Sequence, residues 1–235
     1  MNKNNPTARW AGLLYLIVII CGTFYLQYIP STIRSQNKNL SYAENLISSP
    51  ALLKSGIATE ILCWIAFLLL ALMFYRLFKP VNQFIAGVMI TFAAVQVPIA
   101  FLNLSNKLSV LHLIQEGILP NTINTDQALA QIKWALENYQ NGNQLNHVFW
   151  GLWLLPLGYL VIRSGFLPKF IGFVLITGCF GYLIDFFGSL FNAAYANSAL
   201  SDYSTLPAGI GEIGICLWLL VAGVKPSRIS TVIQN

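Results

Sequence analysis

Six stretches of the chain are apolar over about the length that bilayer hydrocarbon demands of a helix, roughly 20 residues. They run over about 10–28, 57–78, 84–104, 147–162, 170–190 and 206–224. None has the strict two-residue alternation of a barrel strand. Lipid offers no partner for backbone N–H and C=O groups, so the spans must be helical. The expected fold is all-α: a polytopic membrane bundle of six transmembrane helices, forming a single membrane domain over residues 1–235. Composition agrees, because 56% of the residues are hydrophobic and only 9% charged, against about 25% charged in soluble domains. A water-soluble surface cannot be assembled from that supply. The net charge of +5 contains no two adjacent basic residues, which argues against nucleic acid as a partner.

The first span follows Lys3 and Arg9 and reads as an uncleaved signal anchor. Span three continues its helical spacing through Leu104, Leu108, Leu111, Gln115 and Ile118. A helix from Phe84 to Ile118 would be about 50 Å long, with Pro98 as its point of bending. In the loop after it, Leu129, Ile132, Leu136 and Tyr139 form one stripe within Asp126–Asn141, predicting an amphipathic helix outside the membrane. The loop Pro30–Ser55 predicts a helical turn near Tyr42–Ile47.

Topology sorts the charges. Lys3, Arg9, Arg76, Lys79, Arg163, Lys169, Lys225 and Arg228 fall on one side, with no acid among them. Arg34, Lys38, Lys54, Lys107 and Lys133 are assigned to two longer loops on the other. The positive-inside rule then makes both termini cytoplasmic, and the expected location is a bacterial inner membrane.

Three acids, Glu60, Asp185 and Glu212, fall inside the spans, all in the outer half. Each needs a partner, water or protonation to be tolerated there. Helical spacing places Tyr182, Asp185, Ser189 and Asn192 on one polar stripe of the fifth span. His147 stands near the outer end of the fourth, sharing a face with Asn143 and Gly151. Gln96 and Asn103 in the third span, and Thr23 and Gln27 in the first, add polar groups at the same end. Gly209 and Gly214 supply small surfaces for close helix approach in the sixth. The bland reading is that these polar groups are interhelical hydrogen-bond partners. The functional reading is an outward-facing, acid-lined cavity.

Other chemistry is narrowed by absence. His112 and His147 are the two histidines, so a three-histidine zinc site is excluded, and neither metal nor cofactor is expected. Gly209, Gly211 and Gly214 match a dinucleotide-binding spacing by letter, but they lie within an apolar helix with no preceding strand. Cys21, Cys63, Cys179 and Cys216 each lie in an apolar segment and read as packing residues. The tryptophans read as interfacial belts or packing.

Several blocks carry a resemblance: Ala11-Gly12-Leu13-Leu14-Tyr15-Leu16; Leu77-Phe78-Lys79-Pro80-Val81-Asn82; Leu157 through Arg163-Ser164-Gly165-Phe166-Leu167-Pro168 to Asp185; and Pro207-Ala208, Gly211-Glu212 and Leu217-Trp218-Leu219-Leu220. In these the chain resembles a bacterial membrane family known as domain of unknown function 4386, over nearly its whole length. The resemblance implies a membrane fold and no particular reaction. It favours Asp185 and Glu212, which fall in matching blocks. The positions held here by Tyr139 and Trp153 are often histidine in that family, and His147 has no clear counterpart there, which speaks against a metal centre.

The leading expectation is a membrane protein that binds a small cationic, proton-linked or lipid-headgroup ligand among Glu60, Asp185, Glu212, His147, Tyr182, Ser189 and Asn192, in the manner of a small transporter. An intramembrane enzyme using Asp185, Glu212 and His147 is the alternative. A third is a structural or signalling partner protein acting through the Asp126–Asn141 helix. The bilayer is the one partner that composition requires, and the sequence does not speak to oligomeric state.

Overall fold

A computed structural model of the chain describes residues 4–117 and 125–224. The helices are α1 (Asn4–Thr23), α2 (Ile29–Gln36), α3 (Tyr42–Ile47), α4 (Pro50–Phe78), α5 (Gln83–Gly117), α6 (Thr125–Ser164), α7 (Lys169–Phe191), α8 (Ala199–Tyr203) and α9 (Leu206–Val221). A π-helical turn, Phe24–Tyr28, joins α1 to α2, and a 3-10 turn, Tyr195–Asn197, precedes α8. There is no strand among the described residues. Six helical stretches are long and apolar enough to cross a membrane: Asn5–Gln36, Pro50–Phe78, Gln83–Gln115, Asp126–Ser164, Lys169–Phe191 and Ala199–Val221. The protein is therefore an all-α, multi-pass membrane protein. Lys3, Ile118, Lys225 and Arg228 lie outside the described residues.

The helices outrun several expected spans. α5, with 35 residues, is about 50 Å long, and α6, with 40, is about 60 Å. The first is the extended third span that the spacing allowed. The second corrects an expectation: Asp126–Asn141 is no separate amphipathic helix but the beginning of α6, which runs unbroken into the fourth span. Asn141-Gly142-Asn143 looks like a break in sequence, yet Gly142 serves packing. A Cβ there would fall on the Asn103 side chain. The Asn103 amide donates instead to the Tyr139 carbonyl oxygen at 2.9 Å and to Asn143 Oδ1 at 3.1 Å. Lys107, assigned to a loop by topology, is a helical residue of α5.

The chain divides into two compact units. One takes in the described parts of Met1–Ile17, Ala66–Val97 and Gln144–Asn235. The other takes in Val18–Ile65 and the described part of Pro98–Asn143. The division in α5 falls at Pro98, where the helix lacks a backbone donor.

The first unit has an aromatic core. Trp153 stacks on Phe74 at 6.2 Å between ring centroids, meets Phe67 edge-on at 5.0 Å and lies 6.3 Å from Tyr15. Where no side chain intervenes, backbones meet. A Cβ on Gly158 in α6 would stand 2.6 Å from the Gly172 carbonyl oxygen in α7, and the converse holds at the same distance. Gly178 backs onto Ala208, and Gly211 onto Leu175, joining α7 to α9. The small surfaces that matter in α9 are thus Ala208 and Gly211. Gly209 has nothing within 4 Å, and Gly214 touches Ile171 only at ordinary contact distance. Between α6 and α7 the chain reverses through Gly165, whose φ of 68° is a left-handed conformation that costs glycine nothing.

The second unit packs Ile29 and Ile33 of α2 with Leu46 of α3, Leu53 and Ile57 of α4, Leu104, Val110 and Ile114 of α5, and Ile132 of α6. α3, in the predicted place, is started by a capping box: Ser41 Oγ accepts from the Glu44 N–H, and Glu44 Oε2 accepts from the Ser41 N–H at 2.6 Å. These bonds hold the Glu44 carboxyl below its ordinary range. Their contribution is therefore present at neutral pH and is lost as acid protonates Glu44.

Replacing Gly158 by Leu should lower thermal stability in detergent, by about 1–3 kcal/mol of overpacking. Gly209→Leu should leave the unfolding temperature nearly unchanged. Equal effects of the two substitutions would contradict the assigned α6–α7 seam.

Candidate functional site

In the second unit, the C-terminal half of α5 carries Asn103 and Lys107 one turn apart on a buried face. Lys107 Nζ donates to Glu60 Oε2 of α4 at 2.7 Å. The Tyr139 hydroxyl of α6 lies 2.9 Å from both Glu60 oxygens. The Lys107 ammonium also sits 4.0 Å from the centroid of the Tyr139 ring and 5.3 Å from that of Tyr25, where the negative ring faces attract it. Glu60 is 1% exposed, and so deep a carboxylate is tolerable only because charge and hydrogen bonds meet it.

This cluster borders a cavity of about 200 Å³. Its lining is mixed: aliphatic Leu26, Ile29, Ile33, Leu46, Leu53 and Leu136 stand together with polar Arg34, Lys107, Glu137, Tyr139, Gln140 and Asn143. Tyr42 also lines it, with the Arg34 guanidinium 5.8 Å from its ring centroid. Burial pushes the Tyr42 hydroxyl pKa up, so at neutral pH it is a hydrogen-bonding phenol rather than a charge. A larger, more open hollow of about 700 Å³ in the first unit is lined by Tyr75, Gln83, Phe84, Gly87, Val88, Thr91 and Phe92, and carries no charge.

The first unit holds two polar contacts. His147 Nδ1 of α6 lies 2.9 Å from Asp185 Oδ2 of α7. The Tyr195 hydroxyl donates to the other Asp185 oxygen at 3.4 Å and is 3.3 Å from Ser204 Oγ. The imidazole packs against Trp150 at 4.7 Å and Tyr182 at 5.5 Å. In α9, Glu212 Oε1 accepts from the Tyr15 hydroxyl of α1 at 2.9 Å. Tyr182 lies within electrostatic reach of both Asp185 and Glu212. Gln96, 1% exposed, donates to the Phe149 carbonyl oxygen at 3.0 Å.

The expected site residues therefore separate. Asp185, His147 and Tyr182 come together, and Glu212 stands within reach of Tyr182. Glu60 belongs to the other unit. Ser189 is exposed. Asn192 is the C-cap of α7, its Oδ1 accepting from the Ala194 N–H at 3.0 Å. Thr23 and Gln27 are exposed and belong to neither cluster. The acid-lined character expected around Glu60 is replaced by an ion pair. Sequence reasoning missed four partners: Lys107, Tyr139, Tyr15 and Tyr195. A signal existed for Lys107, which lies four residues after Asn103 and eleven after Gln96 and so shares their helical face. Among the described residues, no three His, Cys, Asp or Glu side chains converge as metal ligands would.

A multi-pass helical protein with a buried lysine–glutamate pair is the class that fold and site define. The chain belongs to the family described as Domain of unknown function (DUF4386), which it matches over residues 10–223. It is also similar to an uncharacterized protein of Archaeoglobus fulgidus, 27% identical over 169 residues that cover 68% of this chain and 96% of that one. No solved structure matches the chain.

Removing one member of the buried pair strands the other. Glu60→Gln and Lys107→Met should each cost about 3 kcal/mol of folding stability, while the double variant should recover most of the loss. Additive losses in equilibrium unfolding would contradict the pairing.

Proposed function

We propose that this protein is a membrane-embedded binding protein for a small amphiphile bearing a polar headgroup, taken up in the cavity of the second unit. The observation that carries the reading is the mixed lining, in which aliphatic side chains stand together with charge, amide and phenol. That combination of apolar area with a few convergent polar groups is what ligand sites present. Lys107 and Tyr139 belong to this lining, and Glu60 behind them bonds both. We also infer residence in the bacterial inner membrane with both termini cytoplasmic, supported by Arg9, Arg76, Lys79, Arg163 and Lys169 near one set of helix ends. Binding rather than transport is the claim.

A photoreactive monoacyl amphiphile in proteoliposomes should label peptides spanning residues 26–56 and 136–143. Gln140→Trp and Leu26→Trp, which place bulk into the cavity from exposed positions, should reduce that labelling several-fold. Labelling spread evenly over lipid-facing residues such as Phe84 and Phe173 would contradict the reading.

A second reading has its own observation. The His147–Asp185 contact orients an imidazole through Nδ1 and leaves Nε2 as the nitrogen able to take or give a proton. Intramembrane ionisable groups of this kind commonly handle protons. If so, proteoliposomes should acidify in response to a pH gradient, and His147→Gln should abolish the flux. Equal proton flux in the variant and the parent protein would exclude the reading.

A further inference from the structure

The charges around the cavity specify more than an amphiphile. Arg34 and Lys107 contribute two positive charges to the lining and Glu137 one negative. Behind them, Glu60 cancels Lys107. What is left is Arg34 against Glu137, and among the described residues neither forms an ion pair. The cavity is thus neutral in sum but offers one charge of each sign. A net anion would gain Arg34 but meet Glu137, and a net cation would meet the reverse; either brings one uncompensated like-charge approach into a partly apolar site, where such approaches are costly.

We propose that the ligand is zwitterionic, with a phosphate or carboxylate against Arg34 and an ammonium against Glu137; this rests on the cavity being a ligand site at all. The guanidinium fork suits a phosphate or carboxylate oxygen pair. An ammonium finds the exposed Glu137 carboxylate in the same lining; the rings of Tyr42 and Tyr139 already hold Arg34 and Lys107. About 200 Å³ equals roughly seven water volumes, enough for a headgroup and not for a whole lipid. Leu26, part of the lining and 37% exposed, marks where an attached chain leaves. The shared chemistry has two sources, a zwitterionic lipid headgroup or a free water-soluble zwitterion.

Native mass spectrometry of the full chain in nanodiscs tests this. The probes are zwitterionic phosphatidylethanolamine, anionic phosphatidylglycerol, a cationic diacyl lipid, and free glycerophosphoethanolamine added to a background of uncharged glycolipid. The parent protein should retain phosphatidylethanolamine at least tenfold over the anionic and cationic lipids. Glu137→Gln should turn the preference toward the anionic lipid, and Arg34→Gln toward the cationic one. Both positions are exposed, so both variants should fold, which unchanged thermal unfolding checks. Retention of glycerophosphoethanolamine in preference to the lipid would keep the zwitterion and assign the soluble source. Equal retention of charged and zwitterionic lipids, or an unmoved preference in Glu137→Gln, would overturn the zwitterion while leaving the cavity a binding site. Retention of none of the probes would overturn both.

Discussion

A carboxylate as deeply buried as Glu60 keeps its charge only if a cation and hydrogen-bond donors reach it, and that requirement organises the second unit. Lys107 must come from α5 and Tyr139 from α6, so three helices are fixed around one pair of oxygens. Asn103, one turn from Lys107, then ties α5 to α6 at the Tyr139 backbone carbonyl and the Asn143 side chain. Gly142 leaves the room this needs. The cavity takes Lys107, Tyr139 and Asn143 from these bonded helices and its aliphatic lining from the Phe24–Tyr28 turn, α2, α3, α4 and Leu136 of α6.

The first unit solves the same problem differently. Asp185 is met by an imidazole and a phenol, and Glu212 by a phenol; among the described residues neither forms an ion pair with lysine or arginine. Two of the blocks through which the chain resembles its family come into contact there: Tyr15 bonds Glu212, and Gly12 lies against Leu220, where a Cβ would come within 2.9 Å of the backbone nitrogen. Arg9 adds a bond to the Leu220 carbonyl oxygen. Gly12 and Tyr15, three residues apart, therefore have a shared structural reason: both dock α1 on α9.

Much of the fold was legible because lipid leaves few choices. Six apolar stretches of bilayer length dictate six helices, and the spacing beyond Leu104 already extended α5. Helix ends were less legible, because Asn141-Gly142-Asn143 carries turn-forming residues whose real use is to accommodate Asn103 from another helix. The site was half legible. Intramembrane acids announce themselves by their cost, so Glu60, Asp185 and Glu212 stood out. Their partners did not: a tyrosine on an apolar stripe and a lysine at a presumed membrane boundary look ordinary until tertiary packing brings them to a carboxylate. The polar stripe of α7 was overread for a related reason, since Ser189 and Asn192 share a face with Asp185 near a helix end where exposure is free.

Lys107 and Tyr139 meet the Glu60 carboxyl as an ion pair and a phenol hydrogen bond. The most direct measurement is an infrared difference spectrum between the parent protein and Glu60→Gln in lipid at neutral pH. An ion pair with Lys107 predicts loss of an ionised carboxylate band, shifted by its hydrogen bonds, with no change in the protonated-acid carbonyl region. Loss of a protonated-acid carbonyl band in its place would contradict it.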